Sequence, residues 1–405
     1  MAEMFIDCDA FFASCEQAIN PSLRGKPVAV VGSAESTQRG VVTAKSREAK
    51  KYGITTGMPY FQAKKLMPNG YFIRGKPHVY LDFSRKLHDR LITYGKYVHP
   101  CSIDEFHISC PEGYESAVSI AEDFRAWTRN TLGITVTAGI ADTRVLAKLA
   151  SDMGKPDGLK LIPYEDISKE IDGLPVDDLP GIGYRTAATL AKRGVRTLGD
   201  LRAFPKELLR PLMGVRVDWL YDSIEGREPA YGWGLPFKTK SMSNDFTLLE
   251  STADEDVIKA HLLMIADNLA GRLAVEKMAA RVAHLHLRYT DFNDVGGSFT
   301  IGYDMTLTDH IMDALLHLYK RIYVQGRTVR LVGAGVSGLT KEIQLRLPID
   351  EESDIGRRIR DVLGDMSSRF GPASIRRASV ACSTGMIANM VNPLTAGATL
   401  VKELK

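Results

Sequence analysis

The sequence predicts an α+β protein of several domains. Strand-like and helix-like stretches interleave up to about residue 165, short helices follow from about 166 to 235, and four strands with two helices come next. A chain of 405 residues is long enough for two to four domains, and 44% hydrophobic with 25% charged residues is ordinary for a folded globular protein. The interleaving favours an antiparallel sheet with helices on one face.

Composition excludes several classes of protein. No apolar run approaches the roughly 20 residues of a membrane span, so we expect a cytoplasmic protein with no membrane partner. The five cysteines show no metal-ligand spacing and are expected to be reduced thiols. The net charge of +3 is too small to indicate nucleic acid by itself, although Lys and Arg exceed the acids in residues 11–75 and 183–216. Such local excesses are typical of phosphate contact, or of solvated faces.

Two acidic stretches dominate the first part of the chain. Residues 1–10 are predicted to form a buried strand that carries Asp7, and residues 101–109 form an apolar, β-prone run that contains Asp104 and Glu105. Ionised acids are costly to bury without a partner, and carboxylates from two strands can converge on Mg²⁺. In an ideal strand Asp104 and Glu105 would point to opposite faces, so a shared site requires a bend or bulge there. For an isolated acidic pair, a solvated turn would be the ordinary interpretation.

Residues 11–165 are predicted to alternate between short strands and helices. The strands are expected at 26–31, 40–43 and 134–140, and the helices at 45–52, 79–97, 115–132 and 144–153. In the first helix, Arg47, Lys50 and Lys51 project from one face, where they could receive phosphate groups or form a solvated basic stripe. Lys155 follows Gly154 and would be free to reach a phosphate, while Pro156 prevents the last helix from continuing.

The short helices contain a pattern typical of sequence-independent DNA binding. Leu179 to Gly183, followed by a helix from Thr186 to Arg193, resembles a helix-hairpin-helix motif. In such a motif the glycines allow close backbone approach, and N–H groups at the start of the helix face a phosphate. An isolated Gly-x-Gly would carry little information.

The last folded region is predicted to be a βαββαβ unit. Strands are expected at 241–249, 280–289, 298–306 and 328–338, with helices at 254–275 and 309–323. Basic and acidic residues balance in this region, so DNA contact would have to come from one face, for example Arg281, Arg288 and Arg330. Residues 344–349 resemble a sliding-clamp peptide or form a simple linker, and a helix is expected at 354–370.

Three motifs in this order resemble the Y-family translesion DNA polymerases. They are Asp-Cys-Asp-Ala-Phe-Phe-Ala-Ser from residue 7, Ser-Ile-Asp-Glu at 102–105 and Gly-Lys-Pro-Asp-Gly at 154–158. The likeness covers nearly the whole chain and is greatest to the UmuC (polymerase V type) branch of Gram-positive bacteria and mobile elements. It implies a right-hand polymerase with a palm at 1–10 and 76–165, fingers at 11–75, a helix-hairpin-helix thumb at 166–235, a linker at 236–240, a βαββαβ little finger at 241–340, and a clamp-binding segment and tail at 341–405.

The resemblance also implies a set of site residues. Asp7, Asp104 and Glu105 would be catalytic and would hold two Mg²⁺ ions together with the backbone carbonyl of Cys8, whereas Asp9 would be structural. Phe12 would be the steric gate against ribonucleotides, with Phe11 beside it packing into the core. The remaining contacts would be made to nucleotide by Thr43, Arg47, Lys50 and Lys155; to DNA by Gly181, Gly183, Arg185, Lys238, Lys240, Arg288 and Arg330; and to the sliding clamp by Gln344, Leu345 and Leu347.

The expected activity is low-fidelity, template-directed DNA synthesis past damaged bases, without proofreading, in DNA repair and an SOS-type response. Its partners would be primer-template DNA, deoxynucleoside triphosphates, a sliding clamp and possible accessory SOS proteins. The main alternative is a catalytically inactive relative that binds DNA and clamp as a scaffold, but such a protein would lose the three acids. A helix-hairpin-helix nuclease or glycosylase is disfavoured, because the acids precede that motif in a palm-like order.

Overall fold

The computed structural model describes residues 2–32, 40–94, 97–228 and 239–341, together with residues 362, 365 and 366. The chain divides into two compact units, with the boundary between Pro236 and Phe237. No helix within the described ranges combines the length and the apolar character needed to cross a membrane.

The first unit contains two sheets and a helical region. Its strands are β1 (Ala2–Cys8), β2 (Val28–Val31), β3 (Val42–Lys45), β4 (Tyr71–Arg74), β5 (Val98–Pro100), β6 (Glu105–Cys110), β7 (Val136–Ala141) and β8 (Leu159–Leu161). Its helices are α1 (Phe11–Ile19), α2 (Arg47–Lys50), α3 (Tyr60–Leu66), α4 (Pro77–Leu91), α5 (Tyr114–Trp127), α6 (Arg144–Gly154), α7 (Ile167–Ile171), α8 (Tyr184–Ala191), α9 (Leu198–Ala203), α10 (Lys206–Met213) and α11 (Arg216–Ile224).

The larger sheet, which we call the palm sheet, has the strand order β5-β6-β1-β7-β8. Strand β1 lies at its centre and runs antiparallel to both β6 and β7. Alternate residues of β1 face different cores: Met4 and Ile6 pack with α4 and α5, whereas Phe5 belongs to a core shared with α6 and the helical region. Because both faces are covered, this strand is a continuous apolar run, and Asp7 is placed on the α6 side.

Helix α6 approaches the palm sheet unusually closely at Gly139 of β7. A Cβ atom at this position would lie 2.1 Å from both the Ala147 carbonyl oxygen and the Ser151 amide nitrogen. Such a contact is impossible without moving the helix, so glycine is required here. The helix itself begins with Thr143, whose side chain accepts a hydrogen bond from the Leu146 amide at 3.3 Å.

The smaller sheet of this unit has the order β3-β2-β4 and its own small core. Helix α2 is shorter than the predicted helix at 45–52. Lys45 pairs with Ala29 as part of β3, and the Ser46 side chain then caps the helix by accepting a hydrogen bond from the Ala49 amide at 3.2 Å. The helix gives way to a turn at Lys51 and Gly53, so its basic face spans a single turn.

One other predicted helix ends early, and one changes its helical type in its last turn. The helix expected at 79–97 runs from Pro77 to Leu91, and the helix expected at 115–132 becomes α5 followed by one π-helical turn over Thr128–Leu132. The short helices of the thumb region, α7 to α11, share a buried core with α6.

The second unit is a four-stranded sheet with two helices, as the sequence predicts. It consists of β9 (Ser241–Thr252), α12 (Glu255–Val275), β10 (Ala280–Tyr289), β11 (Asp294–Met305), α13 (Thr308–Ile322) and β12 (Val329–Ser337). The strand order is β11-β10-β12-β9 and all neighbours are antiparallel, so each βα-β connection skips one strand. Strand β11 begins four residues before the predicted start at 298, because Gly296 and Gly297 pair with β10 despite their weak strand preference.

Candidate active site

Three acids meet at one end of the palm sheet. Asp7 lies directly opposite Glu105 in the β1–β6 ladder, and Asp104 immediately precedes β6 in a bend. The Cys8 amide donates to the Asp104 carbonyl oxygen at 3.0 Å, which ties the bend to the end of β1. The Ser102 hydroxyl donates to Asp104 Oδ1 at 2.6 Å and fixes its carboxylate. The bend that a shared site requires is therefore present.

A buried lysine joins two of these acids, Asp7 and Glu105. Lys148 of α6 forms ion pairs with Asp7 Oδ2 and with Glu105 Oε1, the latter at 2.9 Å, and its side chain is only 11% exposed. Lys155 adds a second ammonium group at 2.6 Å from Asp7 Oδ2, and Asp152 accepts from both lysines at 3.2 and 2.9 Å. We use the name acid cluster for the following six residues: Asp7, Asp104, Glu105, Asp152, Lys148 and Lys155.

The electrostatics of the acid cluster follow from burial and charge. The pKa of Asp104 is raised to about 6, mainly by burial and in addition by the nearby Glu105 and Asp7 carboxylates, against the lowering effect of the Ser102 hydrogen bond. Burial alone would lower the pKa of Lys148, but the Asp7 and Glu105 carboxylates outweigh it and hold that pKa above its ordinary value. The same balance raises the pKa of Lys155. Both ammonium groups are therefore charged at neutral pH.

The donor set of the acid cluster suits a hard divalent cation. Three carboxylates and main-chain oxygen are ligands that Mg²⁺ prefers. In the conformation described, no three His, Cys, Asp or Glu side chains within the described ranges converge tightly enough to ligate one ion, and ammonium groups supply the positive charge instead. The Cys8 side chain is buried in the palm core, so only its main chain is a possible ligand. The residues fit a metal site whose cations would displace Lys148 and Lys155 from Asp7.

Asp9 has the structural role that the family resemblance implies. It is 5% exposed and accepts hydrogen bonds from the Thr135 and Thr137 hydroxyls at 2.7 and 2.9 Å and from the Asp157 amide at 2.9 Å. Arg47 Nη2 completes the set at 3.1 Å. A carboxylate with this many partners is fully satisfied and holds the start of α2 against the palm sheet.

The residues predicted to contact nucleotide differ in whether their side chains are already bound to other protein groups. Arg47 is bound to Asp9 and also donates to the Thr135 hydroxyl at 2.9 Å, although its side chain is 47% exposed. Lys50 lies exposed on the same short helix. The Thr43 hydroxyl donates to the Val30 carbonyl oxygen at 3.1 Å, and Lys155 is held by the acid cluster as described above.

Phe12 lies in the first turn of α1, directly after β1. Ala10, between the two elements, has φ 49°, a left-handed conformation that is uncommon for alanine and turns the chain sharply. The ring of Phe12 is partly buried and stacks on Tyr80, with ring centroids 4.4 Å apart and planes 15° apart. Phe11 is only 3% exposed and belongs to the palm core.

The hairpin glycines of the thumb region differ in their constraints. Gly181 has φ +97°, and a Cβ there would lie 2.6 Å from the Trp219 ring, so glycine is required. Gly183 has an ordinary φ and open space around it, which leaves its backbone accessible at the start of α8. Arg185 is exposed and lies against the ring of Tyr184, to whose hydroxyl oxygen its Nε donates at 3.0 Å.

The second unit presents a trough on its sheet, of about 530 Å³. Its lining includes Lys240, His284 and His286. Arg288 is held by Asp294 through two bonds of 2.7 and 2.9 Å. Arg330 occupies a bulge in β12 and lies 5.1 Å from the centre of the Phe292 ring. The predictions for Lys238, Gln344, Leu345 and Leu347 fall outside the described residues.

Sequence reasoning missed Lys148, the residue that joins Asp7 to Glu105. One signal was available, since Lys148 is a charged residue between Ala147 and Leu149 on a helix with an apolar face. A buried lysine needs a carboxylate partner, and the unpaired acids of the palm were candidates. No feature of the sequence indicated that Tyr80 packs against Phe12, because the two residues are distant in sequence.

Three family models match successive parts of the chain. Residues 6–152 match the impB/mucB/samB family, residues 177–226 match the DNA polymerase-iota thumb domain, and residues 239–347 match the impB/mucB/samB family C-terminal domain. The first match contains Asp7, Asp104 and Glu105, and the second contains the hairpin glycines.

Similar proteins cover almost the whole chain. A protein named DNA polymerase IV from Moorella thermoacetica is 33% identical over 390 residues, which are 95% of this chain and 97% of that protein. A DNA polymerase IV from Bacillus velezensis is 30% identical and covers 93% of this chain and 92% of its own.

Solved structures show the same fold. A chimera of the Y-family DNA polymerases Dbh and Dpo4 superposes with a TM-score of 0.73 at 24% identity, over 85% of this chain and 100% of the chimera. An insertion ternary complex of Dbh gives a TM-score of 0.58 at 24% identity, over 83% and 98% of the two chains. These likenesses confirm the predicted α+β polymerase fold with its helix-hairpin-helix thumb and four-stranded last unit.

Proposed function

Since the chain belongs to the impB/mucB/samB family of Y-family DNA polymerases and is a DNA-directed DNA polymerase, we propose that it adds deoxynucleotides to a primer 3′-hydroxyl by a two-Mg²⁺ mechanism and copies damaged templates with low fidelity. The observation that carries the mechanism is the convergence of Asp7, Asp104 and Glu105 at one end of the palm sheet, where Lys148 pairs with Asp7 and Glu105.

Asp7, Asp104, Glu105 and the Cys8 carbonyl would hold the two ions. Bound there, Mg²⁺ would favour deprotonation of the primer 3′-hydroxyl and neutralise charge on the leaving pyrophosphate. The fold supports this role because Asp7 is rigid at the end of a central strand and Asp104 is fixed by Ser102. Lys148 retains Glu105 and Asp152 as partners if Asp7 turns to a metal.

Arg47, Lys50 and Lys155 would bind the phosphates of the incoming nucleotide. Lys155 belongs to the acid cluster, Arg47 pairs with Asp9, and Lys50 lies exposed on the same short helix as Arg47. Charge-assisted hydrogen bonds to phosphate are strong. Lys155 is 35% exposed, so it can turn from Asp7 toward a phosphate once another cation neutralises that carboxylate. Thr43 would offer its hydroxyl oxygen as an acceptor beside the nucleotide, since its proton is engaged by Val30.

Phe12 would discriminate against ribonucleotides. It comes four residues after Cys8, the last residue of the strand that carries Asp7, so its ring can lie beside the sugar of a nucleotide whose phosphates are held at the acid cluster. A ring against the C2′ position leaves no room for a hydroxyl, which would also be desolvated without a partner. Phe11 supports the same turn from the core.

DNA would be held mainly through its phosphates. The accessible backbone of Gly181 and Gly183 and the exposed Arg185 supply one contact region, and Lys240, Arg288 and Arg330 of the second unit supply another. Lys238 belongs to the same proposal. Contacts of this kind do not read sequence, which suits a polymerase that must accept any template.

Several finer predictions rest on the sequence alone. Clamp binding through Gln344, Leu345 and Leu347, accessory SOS proteins and a cytoplasmic location remain predictions. The relatives described above are named DNA polymerase IV, so membership of the UmuC branch also stays a prediction.

The inactive-scaffold alternative is disfavoured by the acid cluster. A scaffold has no need for three carboxylates that meet at one sheet end, where burial makes them costly. A nuclease or glycosylase of the helix-hairpin-helix type is disfavoured for the same reason, since the acids lie in the palm sheet and not in the hairpin region.

Primer extension on a gapped template, with and without Mg²⁺, tests the proposal. We expect Mg²⁺-dependent incorporation by the wild type and none by Asp104→Asn, with primer-template affinity retained in both. Asp82→Asn is the matched control, because Asp82 is an exposed acid of α4 that pairs with Lys86 at the surface. Full activity of Asp104→Asn would refute the metal assignment, and no extension by the wild type would favour the scaffold.

A further inference from the structure

A connected set of side chains lies behind Phe12. Tyr80 of α4 stacks on the Phe12 ring and is itself only 3% exposed. Its hydroxyl donates to Glu16 Oε1 at 2.9 Å, and Lys76, the residue before α4, donates to Glu16 Oε2 at 2.8 Å. The set therefore links α1, which carries Phe12 and Glu16, to α4.

The geometry limits how the Phe12 ring can move. Tyr80 covers one face of the ring in a nearly parallel stack, and Phe11 lies at a tilt of 46° with its centroid 5.8 Å away. A ring backed in this way cannot tilt toward Tyr80 to admit a larger sugar unless Tyr80 moves too. The position of Tyr80 thus decides how firmly Phe12 is held.

Tyr80 is held in turn by a buried charge. Glu16 is 1% exposed, and a carboxylate so deeply buried requires its two partners. Burial, helped by Glu16, raises the pKa of Tyr80, so its hydroxyl stays protonated and donates at all working pH values. The Lys76 side chain is 45% exposed, and its ammonium group closes the set from the solvent side.

We propose that Tyr80, Glu16 and Lys76 are positioning residues that fix the ring of Phe12 and thereby set the discrimination between deoxyribo- and ribonucleotides. The inference rests on the proposed function of Phe12 as the gate. None of the three needs to touch the sugar, since each acts through the next. Substituting any of the three residues should lower the discrimination against ribonucleotides, and the effect should be larger the more directly the residue contacts Phe12.

The test measures kcat/KM for dATP, 2′-fluoro-dATP and ATP opposite template T. Tyr80→Leu removes the stack and should lower discrimination against ATP about tenfold, mostly through a lower KM for ATP. Tyr80→Phe and Lys76→Met keep the ring and should lower it about threefold, because one hydrogen bond or one charge is lost. The 2′-fluoro analogue, with a smaller substituent, should change less than ATP in every variant.

Tyr94 provides matched controls for both tyrosine changes. It packs edge-on against Phe124 and its hydroxyl also donates to a carboxylate, that of Asp123, away from Phe12. Tyr94→Phe and Tyr94→Leu should leave sugar discrimination unchanged. If Tyr80→Leu fails to fold, the surface change Lys76→Met still tests the inference.

Phe12→Ala distinguishes the role of Phe12 as the gate from the role of the residues that position it. Loss of discrimination in Phe12→Ala, Tyr80→Leu and Lys76→Met supports both the gate and its positioning residues. Loss in Phe12→Ala alone, with the other variants at the wild-type ratio, would overturn the inference and leave the gate standing. Unchanged discrimination in Phe12→Ala would overturn both.

Discussion

The acid cluster and the Arg288–Asp294 pair are both ion-pair sites, but they differ in exposure. Asp7 and Lys148 have side chains that are 7% and 11% exposed, whereas Arg288 and Asp294 are 35% and 47% exposed. In the acid cluster Asp7, Glu105 and Asp152 share their lysine cations. In the second unit one arginine and His286 contact one aspartate at the sheet surface.

This difference in exposure predicts different roles for the charges. Removing one partner of a buried ion pair leaves an uncompensated charge and is strongly destabilising, while exposed pairs contribute little. The acid cluster therefore cannot lose one charge without a replacement, which suits a site where metal cations would replace ammonium groups. The exposed pair can exchange its partner for a DNA phosphate at little cost.

The largest expected effect is on catalysis. Asp104→Ala should lower incorporation by roughly 10³-fold or more, because a site built on three carboxylates loses much of its cation binding and transition-state stabilisation. Single-turnover incorporation at saturating DNA measures this directly. Asp294→Asn, which also removes one carboxylate charge, should retain most of the incorporation rate. Similar losses in both variants would show that the contrast between the two sites is wrong.

The next effect concerns stability. Lys148→Met should lower the free energy of unfolding of the metal-free protein by about 3–5 kcal/mol, because Asp7 and Glu105 lose a buried counterion. Mg²⁺ should restore part of this loss by binding the folded state only. Chemical denaturation in EDTA and in Mg²⁺ measures both quantities.

Lys86→Met is the control for this substitution. Lys86 pairs with Asp82 at 2.7 Å on the surface of α4, in the same unit, and its side chain is 53% exposed. We expect no measurable change in stability and no response to Mg²⁺. Equal stabilities of Lys148→Met and Lys86→Met would mean that the lysine of the acid cluster is not compensating buried charge.

Asp104 should make stability depend on pH. Its pKa in the folded protein, about 6, lies above the ordinary value of 3.8, so between these values the folded state keeps a proton that the unfolded state has released. Stability should therefore fall as pH rises from about 4 to 6, by up to about 3 kcal/mol. Unfolding of wild type and Asp104→Asn in EDTA across this range isolates the contribution. Parallel pH profiles of the two proteins would contradict it.

Local patterns were sufficient to predict much of the fold. The apolar run around Asp7 predicts a buried strand, and the spacing of two helices among four strands in the last region predicts the βαββαβ unit, because such patterns depend on neighbours in sequence. The need for a bend at Asp104 also followed from strand geometry alone. The roles of Asp7, Asp104 and Glu105 came from resemblance to a family.

Contacts between distant elements could not be predicted in this way. Lys148 reaches Asp7 only because Gly139 allows α6 to lie against β7, and nothing near Lys148 in sequence indicates that approach. The helix predicted at 45–52 is short because Lys45 pairs with Ala29 in a strand. In both cases tertiary packing overrides local preference.

The smallest expected effect is on DNA affinity. Asp294 lies opposite Arg288 in the β10–β11 ladder and occupies its guanidinium group with two bonds, so a DNA phosphate must displace this carboxylate. Asp294→Asn should raise primer-template affinity a few-fold and steepen its salt dependence by about one phosphate contact. Fluorescence anisotropy at several salt concentrations measures both. Asp291→Asn is the matched control, since Asp291 pairs with Arg327 at 2.6 Å and its loss changes net charge equally. If both variants gain affinity to the same extent, the effect is only one of net charge. The Asp294 carboxylate then does not limit DNA binding by occupying the Arg288 guanidinium group.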